Sequence, residues 1–257
     1  MFIRELKATD EAEVTRFLEG VVRESLFLIS NIRRVGLDPG NETFQGRYMG
    51  VFVHDAIVGV GAHYWNGNII IQAPDHTAEL TQALLKTASH PVCGLLGPWT
   101  QLCIAKESAG LGDGDLHLNT RELLYELTLS DLEMPQSRRG EQLTTRGALV
   151  DDLDVLTEWR LAYAAELGHP VTENHRDEFR QRLLRQLLDD DTWIAFLNGT
   201  PVAQTQFNAR LPHVVQIGGV WTLPQYRSRG YARMVLAEHL THAQGRGIEQ
   251  AVLFTGA

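Results

Sequence analysis

The most informative part of this chain of 257 residues runs Val220-Trp221-Thr222-Leu223-Pro224-Gln225-Tyr226-Arg227-Ser228-Arg229-Gly230-Tyr231-Ala232. An apolar strand is predicted to end at Pro224, a short basic loop follows, and a helix is predicted to open around Gly230. A helix N-terminus presents unpaired backbone N–H groups and the positive end of the helix dipole, so a diphosphate can bind there. Gly230 has no side chain to obstruct such a ligand, while Arg227, Arg229 and Arg233 add positive charge. The pattern therefore predicts an anion-binding loop between a strand and a helix.

The elements around this loop follow the order strand, two helices, three strands, helix, strand. Hydrophobic periodicity and turn residues predict strands over residues 142–147, 193–197, 200–207, 214–222 and 250–254, and helices over 149–165, 173–188 and 229–244.

The first half repeats this order. Strands are predicted at residues 2–6, 47–53, 56–65, 68–72 and 92–96, and helices at 10–18, 21–35 and 77–88, with a further helix at 100–109 and a final strand at 121–129. Short matches run in the same order through both halves: 9–14 with 150–155, 57–59 with 201–203, Pro74 with Pro224, and 93–97 with 252–256. This predicts an internal duplication of a unit of roughly 130 residues. The expected domains are 1–133 and 142–257, joined by a polar linker over 134–141.

The segment Arg227-Ser228-Arg229-Gly230-Tyr231-Ala232 matches the acyl-CoA signature Gln/Arg-x-x-Gly-x-Gly/Ala, and the chain here resembles the GNAT superfamily of N-acetyltransferases. The resemblance covers residues 142–257. It implies an α/β (α+β) fold of two tandem GNAT-like units, each a mixed, mostly antiparallel, splayed sheet flanked by helices. Acetyl-CoA would lie between the parallel strands 214–222 and 250–254. The implied cofactor-binding residues are Val220, Trp221 and Thr222 along the pantetheine arm, and Arg227, Ser228, Arg229, Gly230, Tyr231 and Ala232 at the diphosphate.

The first copy lacks this loop. The corresponding stretch, Ala73 to Glu79, contains neither glycine nor arginine and carries the carboxylates Asp75 and Glu79, which repel anions. The first half is therefore interpreted as a degenerate copy that retains the fold without the CoA site. That it binds a different ligand remains an alternative.

The catalytic groups are not evident. Acetyl transfer to an amine requires a base for the amine, polarisation of the thioester carbonyl and an acid for the thiolate. Three weak candidates for the base are Glu166 and Glu173, which flank a loop between helices, and His213 at the start of a strand. In the resembled family a tyrosine on a helix after the last strand is commonly the acid. The second copy ends directly after that strand, so it is expected to lack its last helix and strands, to leave a sheet edge bare, and to come from a longer natural protein.

The charge and the cysteine content of the chain disfavour several classes of protein. The formal net charge of −9 disfavours a broad nucleic-acid surface, and the two cysteines cannot form a disulfide framework. Neither an apolar run of membrane-spanning length nor a metal-ligand spacing is found in the sequence, so we expect a cytoplasmic protein, monomer or homodimer, without membrane attachment or metal. The expected function is acetyl-CoA-dependent N-acetyl transfer to a primary amine of a small molecule or peptide. The alternative is a CoA-binding scaffolding protein without turnover.

Overall fold

The computed structural model describes residues 1–136, 142–168 and 173–256, and of residues 173–175 only the backbone. Most of the chain divides into two compact units, Met1–Leu123 and Leu124–Thr255. The predicted linker falls largely outside the described residues, so the division into 1–133 and 142–257 stays a prediction.

The first unit is a five-stranded sheet in the order β1-β2-β3-β4-β5. Its neighbouring strands are antiparallel except for the parallel pair β4–β5. The elements are β1 Phe2–Glu5, α1 Glu11–Glu19, α2 Val22–Val35, β2 Gly46–Val53, β3 Ala56–Tyr64, β4 Asn68–Gln72, α3 Thr77–Thr87, β5 Gly94–Leu96 and α4 Trp99–Ser108. The predicted order of elements is confirmed here.

The second unit contains a six-stranded sheet in the order β6-β11-β10-β9-β8-β7. Its elements are β6 Glu122–Thr128, β7 Leu143–Gly147, α5 Leu153–Glu166, α6 Glu173–Leu188, β8 Thr192–Leu197, β9 Thr200–Arg210, β10 Val214–Thr222, α7 Tyr231–Gly245 and β11 Gln250–Gly256. The pair β10–β11 is parallel, whereas β7–β8, β8–β9 and β9–β10 are antiparallel.

Helices cover both faces of the second sheet. On one face Leu156 and Trp159 of α5 and Leu183 of α6 pack against Ile194 and Trp221. On the other face, α7 contributes its buried side chains to clusters with Phe207, Val215 and Ile217, and with Ala203 and Val202. Residues on both sides of these strands are buried because both faces are covered, and they include the polar side chains of Gln204, Gln206 and Gln216.

Strand β6 differs from the prediction. It was expected to close the first copy, and β11 was expected to leave a bare edge; instead β6 lies beside β11. The reason is burial: Leu129, just after β6, is 1% exposed and packs with Leu127 into the core under α7. The Leu129 N–H also donates to the Glu249 carbonyl at 2.8 Å, which joins the end of β6 to the start of β11.

A repeated ion pair supports the duplication. Arg4 forms two hydrogen bonds with the Asp10 carboxylate, at 2.7 and 2.8 Å, and Arg146 forms two with Asp152, at 2.6 and 3.0 Å. In each unit the same aspartate also accepts the backbone N–H three residues before it. The equivalent of Asp10 is therefore Asp152, one residue further along than the sequence match had placed it.

Candidate functional site

The two parallel strands of the second sheet separate part-way along their length. Strands β10 and β11 are paired from Val214↔Gln250 to Ile217↔Leu253. Beyond these residues β10 continues to Thr222 and β11 to Gly256, and the two strands no longer pair with each other. Strand β10 stays paired with β9 as far as Thr222↔Ala203. The splayed sheet expected from the resemblance is confirmed, and its opening begins after Ile217.

A β-bulge lies at the start of this opening. The register of β10 against β9 shifts between Gly218 and Trp221, and Gly219 adopts a left-handed φ of 56°. The Gln204 side chain fixes the bulge by donating from Nε2 to the Gly219 carbonyl at 3.1 Å. A bulge re-aims the backbone groups of its strand. Our sequence prediction missed it, although two adjacent glycines inside a strand pattern are a signal for one.

The loop after β10 turns through two left-handed residues. Ser228 has a φ of 61° and Gly230 has a φ of 85°, and Gly230 is the N-cap of α7. Glycine adopts this conformation at little cost, which explains why the signature places glycine there. The helix was predicted to begin at Arg229, with Gly230 in its first turn; it begins at Tyr231 instead, because the left-handed Gly230 precedes it as the N-cap.

A cleft of about 480 Å³ lies at this helix start. From the loop and α7 it is lined by Arg229, Gly230, Tyr231, Arg233 and Met234, and from elsewhere in the second unit by Glu133, Met134, Pro135, Gln136 and Leu143. Sequence reasoning missed this second group because these residues carry no ligand-binding signature.

The arginines of the loop point in different directions. Arg229 and Arg233 line the cleft, and within the described ranges neither has a carboxylate at ion-pair distance. Arg227 instead donates from Nη2 to both oxygens of Glu166, at 2.6 and 2.8 Å, and from Nε to the Thr222 carbonyl at 3.0 Å. The charges left for an anion at this helix start are therefore those of Arg229 and Arg233.

The side chains of several predicted cofactor-binding residues are packed into the core. Trp221 is buried against Trp159, with ring centroids 5.5 Å apart, and its Nε1 donates to Glu166 at 3.3 Å. Tyr231 is buried in the core beneath α7, and Val220 packs against the neighbouring cluster. Ala232 lies in the first turn of α7.

Two of the three candidates for the base lie apart in the structure. Glu166 lies near the loop but is paired with Arg227. His213 precedes β10 at the end opposite the loop, where it is exposed and lies 3.4 Å from Glu249. The side chain of Glu173 lies outside the described residues. The role of a base stays a prediction for all three.

Among residues 1–136, 142–168 and 173–256 there is no cluster of histidine, cysteine and carboxylate groups suited to a metal ion. In the same ranges, every helix is too short or too polar to cross a bilayer.

The corresponding opening in the first unit is closed. Parallel pairing of β4 with β5 runs from Asn68↔Gly94 to Ile70↔Leu96. Ile70 lies four residues before Pro74 and Val220 lies four residues before Pro224, so the two residues are equivalent. In the second unit β10 has already separated from β11 at Val220, whereas in the first unit Ile70 is still paired with Leu96. Gln101 of α4 is buried there and accepts the Ala73 N–H at 2.7 Å.

Comparison with known proteins agrees with this geometry. Residues 154–257 match the model of the acetyltransferase (GNAT) family. No curated protein matches the chain.

Two solved structures match over the whole chain, and a third matches over part of it. A tandem GNAT protein from the clavulanic acid biosynthesis pathway, solved without AcCoA, has 11% identity and a TM-score of 0.59 over 99% of this chain and 90% of its own. A GNAT-family acetyltransferase from Colwellia psychrerythraea has 14% identity and a TM-score of 0.53 over 100% of this chain and 90% of its own. A predicted acetyltransferase from Clostridium acetobutylicum, solved with acetyl-CoA, has 21% identity and a TM-score of 0.39 over 45% of this chain and 82% of its own.

At these identities the two matches over the whole chain show the fold alone, and the family model matches residues 154–257. The chain therefore carries a match to the acetyltransferase (GNAT) family over residues 154–257, and as a whole it has the fold of a tandem GNAT protein.

Proposed function

We propose that the second unit binds acetyl-CoA and transfers its acetyl group to an amine. The observation that carries the proposal is the separation of β10 from β11 after Ile217, beside a helix N-terminus whose cleft is lined by Arg229 and Arg233. Acetyl-CoA has a matching shape and charge: an extended pantetheine arm that can lie along a strand and a diphosphate that an N-terminus and two guanidinium groups attract.

Each part of acetyl-CoA contacts a different group of residues in this proposal. The diphosphate lies on the backbone amides of residues 228–232, with Arg229 and Arg233 beside it. The pantetheine arm runs along β10 past Val220 and Thr222, and the thioester reaches the bulge at Gly219. Backbone N–H groups that the bulge turns away from β9 polarise the thioester carbonyl.

The reaction is a direct transfer. The neutral amine attacks the thioester carbon, and the C–N bond forms as the C–S bond breaks. The nitrogen gives up one proton to become the amide, and the thiolate takes up one proton and leaves as CoA. Positioning the two reactants in one site supplies much of the rate enhancement in such reactions.

The loop is tested by reversing its charge. The double variant Arg229→Glu with Gly230→Asp places two carboxylates at the start of α7, and we expect it to abolish acetyl-CoA binding measured by calorimetry. Gly247→Asp is the matched control, because Gly247 follows the other end of α7, also has a positive φ and also has open space around a built Cβ. Unchanged affinity in the double variant would show that the loop is not the CoA site.

Turnover is tested separately from binding. The chain should release CoA from acetyl-CoA, detected with a thiol reagent, in proportion to added amine from a broad panel. Binding without amine-dependent release from any member of the panel would favour a CoA-binding scaffolding protein over an enzyme. The cytoplasmic location stays a prediction.

A further inference from the structure

A second, narrow pocket lies on the α5–α6 face of the second sheet. Its polar lining comes from two arginines and three amide side chains, Arg160, Arg182, Gln186, Gln206 and Asn208, and Phe179 forms one wall. The lining contains several hydrogen-bond donors and no carboxylate. Such a set of groups is suited to an anion.

Arg160 is the residue of this pocket that most strongly indicates an anionic ligand. It is partly buried, and this burial lowers the pKa of its guanidinium below the ordinary value. Its cationic group lies 5.3 Å from the Phe179 ring and 5.6 Å from the Tyr163 ring. Within the part of the chain that the structure describes, no carboxylate pairs with it. A desolvated cation without a counter-ion is costly, so an anionic ligand would be stabilised here.

The amide side chains connect the pocket to the site of transfer. Gln204, Gln206 and Asn208 are two residues apart along β9, so their side chains lie on the same face of the sheet. Gln204 donates the hydrogen bond to the Gly219 carbonyl in the bulge. A Cβ built on Gly218 would lie 1.8 Å from Asn208 Nδ2, and one on Gly219 would lie 2.5 Å from Gln206 Oε1. The two amides thus lie directly against the bulge, and Nε2 of Gln206 is buried without a hydrogen-bond partner among the described residues.

We propose that this pocket binds the carboxylate of the acceptor, so that the acetylated amine belongs to an amino acid or a related amine-bearing carboxylic acid. The inference rests on the proposed function, because it takes the bulge as the place where the acetyl group is transferred. The carboxylate lies against Arg160 and the amides of Gln206 and Asn208, and the amine points along β9 to the bulge. The narrowness of the pocket favours a carboxylate over the larger phosphate, and the planar guanidinium can donate two parallel hydrogen bonds to that carboxylate.

The test compares acceptors that differ only in the carboxylate. Calorimetry in the presence of CoA measures the binding of proteinogenic amino acids, of the amines that correspond to them after decarboxylation, and of the phosphate ester phosphoethanolamine. We expect at least one amino acid to bind about tenfold more tightly than its amine, and this preference to vanish in Arg160→Gln. Arg160→Lys should retain part of it, because the charge remains while the planar fork is lost.

Arg180→Gln is the matched control, since Arg180 lies on α6 outside the pocket and pairs with exposed Asp154 at 3.3 Å. Circular dichroism of each variant establishes that the fold is retained, and Arg160→Lys carries the test if Arg160→Gln does not fold. The inference is overturned if no amino acid binds, if amines or the phosphate ester bind as tightly as the acids, or if the preference survives loss of Arg160.

This outcome is separable from that of the proposed function. Carboxylate-dependent binding without CoA release would retain the pocket and reject the transferase. CoA release with equal use of acids and amines would retain the transferase and reject the carboxylate pocket.

Discussion

Arg227 and Glu166 form a two-pronged ion pair, with one guanidinium nitrogen 2.6 and 2.8 Å from the two carboxylate oxygens. The pair joins the end of α5 to the loop after β10, and two further hydrogen bonds, from Trp221 Nε1 to Glu166 and from Arg227 Nε to the Thr222 carbonyl, complete a brace. Arg227 is the first residue of the signature, yet its side chain is directed to this brace rather than to the cleft. We infer that it holds the loop in the conformation that presents the amides of α7.

Breaking the brace should weaken acetyl-CoA binding modestly. Both partners are about two-fifths exposed, and exposed ion pairs contribute about 0.2–1 kcal/mol, so we expect Arg227→Gln and Glu166→Gln each to lower affinity roughly two- to fivefold. Because the two residues act together, the double variant should lose no more than the larger single loss. Calorimetry of the four proteins measures this cycle. A gain in affinity in Glu166→Gln would instead indicate that Arg227 is released to bind the diphosphate directly.

Arg229 and Arg233 should behave differently from Arg227. They line the cleft and have no carboxylate partner within the described ranges, so their charge is available to an anionic ligand. We expect Arg229→Gln and Arg233→Gln each to lower acetyl-CoA affinity about tenfold or more, as for the loss of a charge-assisted hydrogen bond. The loss should disappear when S-acetylpantetheine, which lacks the diphosphate, replaces acetyl-CoA. An equal loss with both ligands would place these arginines elsewhere along the cofactor.

The first unit should not add a second CoA site. The continued pairing of β4 with β5 through Ile70↔Leu96 leaves no opening where β10 and β11 separate in the second unit. The side-chain oxygen of Gln101 already accepts a hydrogen bond from the Ala73 N–H. Asp75 and Glu79 add negative charge to the corresponding loop. We expect calorimetry to give one acetyl-CoA per chain, both for the natural sequence and for Gln101→Ala. Two sites per chain, or one that survives charge reversal at Arg229 and Gly230, would contradict this.

The sequence predicted the fold well where glycine, proline and hydrophobic periodicity mark the elements, as from Val214 to Gly245. It did not predict the partner of β6, because an alternating strand looks the same whichever sheet receives it, and only the burial of Leu127 and Leu129 decides. Nor did it distinguish Arg227 from Arg229: their opposite directions depend on the left-handed Ser228 between them, which no local propensity indicates. Arg160 was missed because its significance lies in lacking a carboxylate partner among the described residues, and pairing is a property of tertiary structure.

The equivalent residues Asp10 and Asp152 allow a prediction of how the stability of the fold depends on pH. Hydrogen bonds from Arg4 and from the Lys7 backbone lower the pKa of Asp10 from 3.8 to about 2. A carboxyl group whose pKa is lower in the folded state stabilises the fold above its unfolded pKa, and this contribution is lost as the pH falls toward the folded value. Asp10→Asn should therefore cost about 1–3 kcal/mol of unfolding free energy near neutral pH, the magnitude of hydrogen bonds to a charged group.

The difference between the natural sequence and Asp10→Asn should shrink as the pH falls from 3.8 toward 2, because the natural aspartate then takes up its proton. Urea unfolding at a series of pH values measures the free energy, and hydrogen exchange with mass spectrometry assigns the loss to a unit. Asp152→Asn is the matched control, since Arg146 and the Leu149 N–H lower the pKa of Asp152 against the opposing effect of its burial. Loss of exchange protection should fall in residues 1–123 for Asp10→Asn and in residues 142–255 for Asp152→Asn. A pH-independent difference would mean that the Asp10 carboxylate stabilises the fold by packing rather than by its charge.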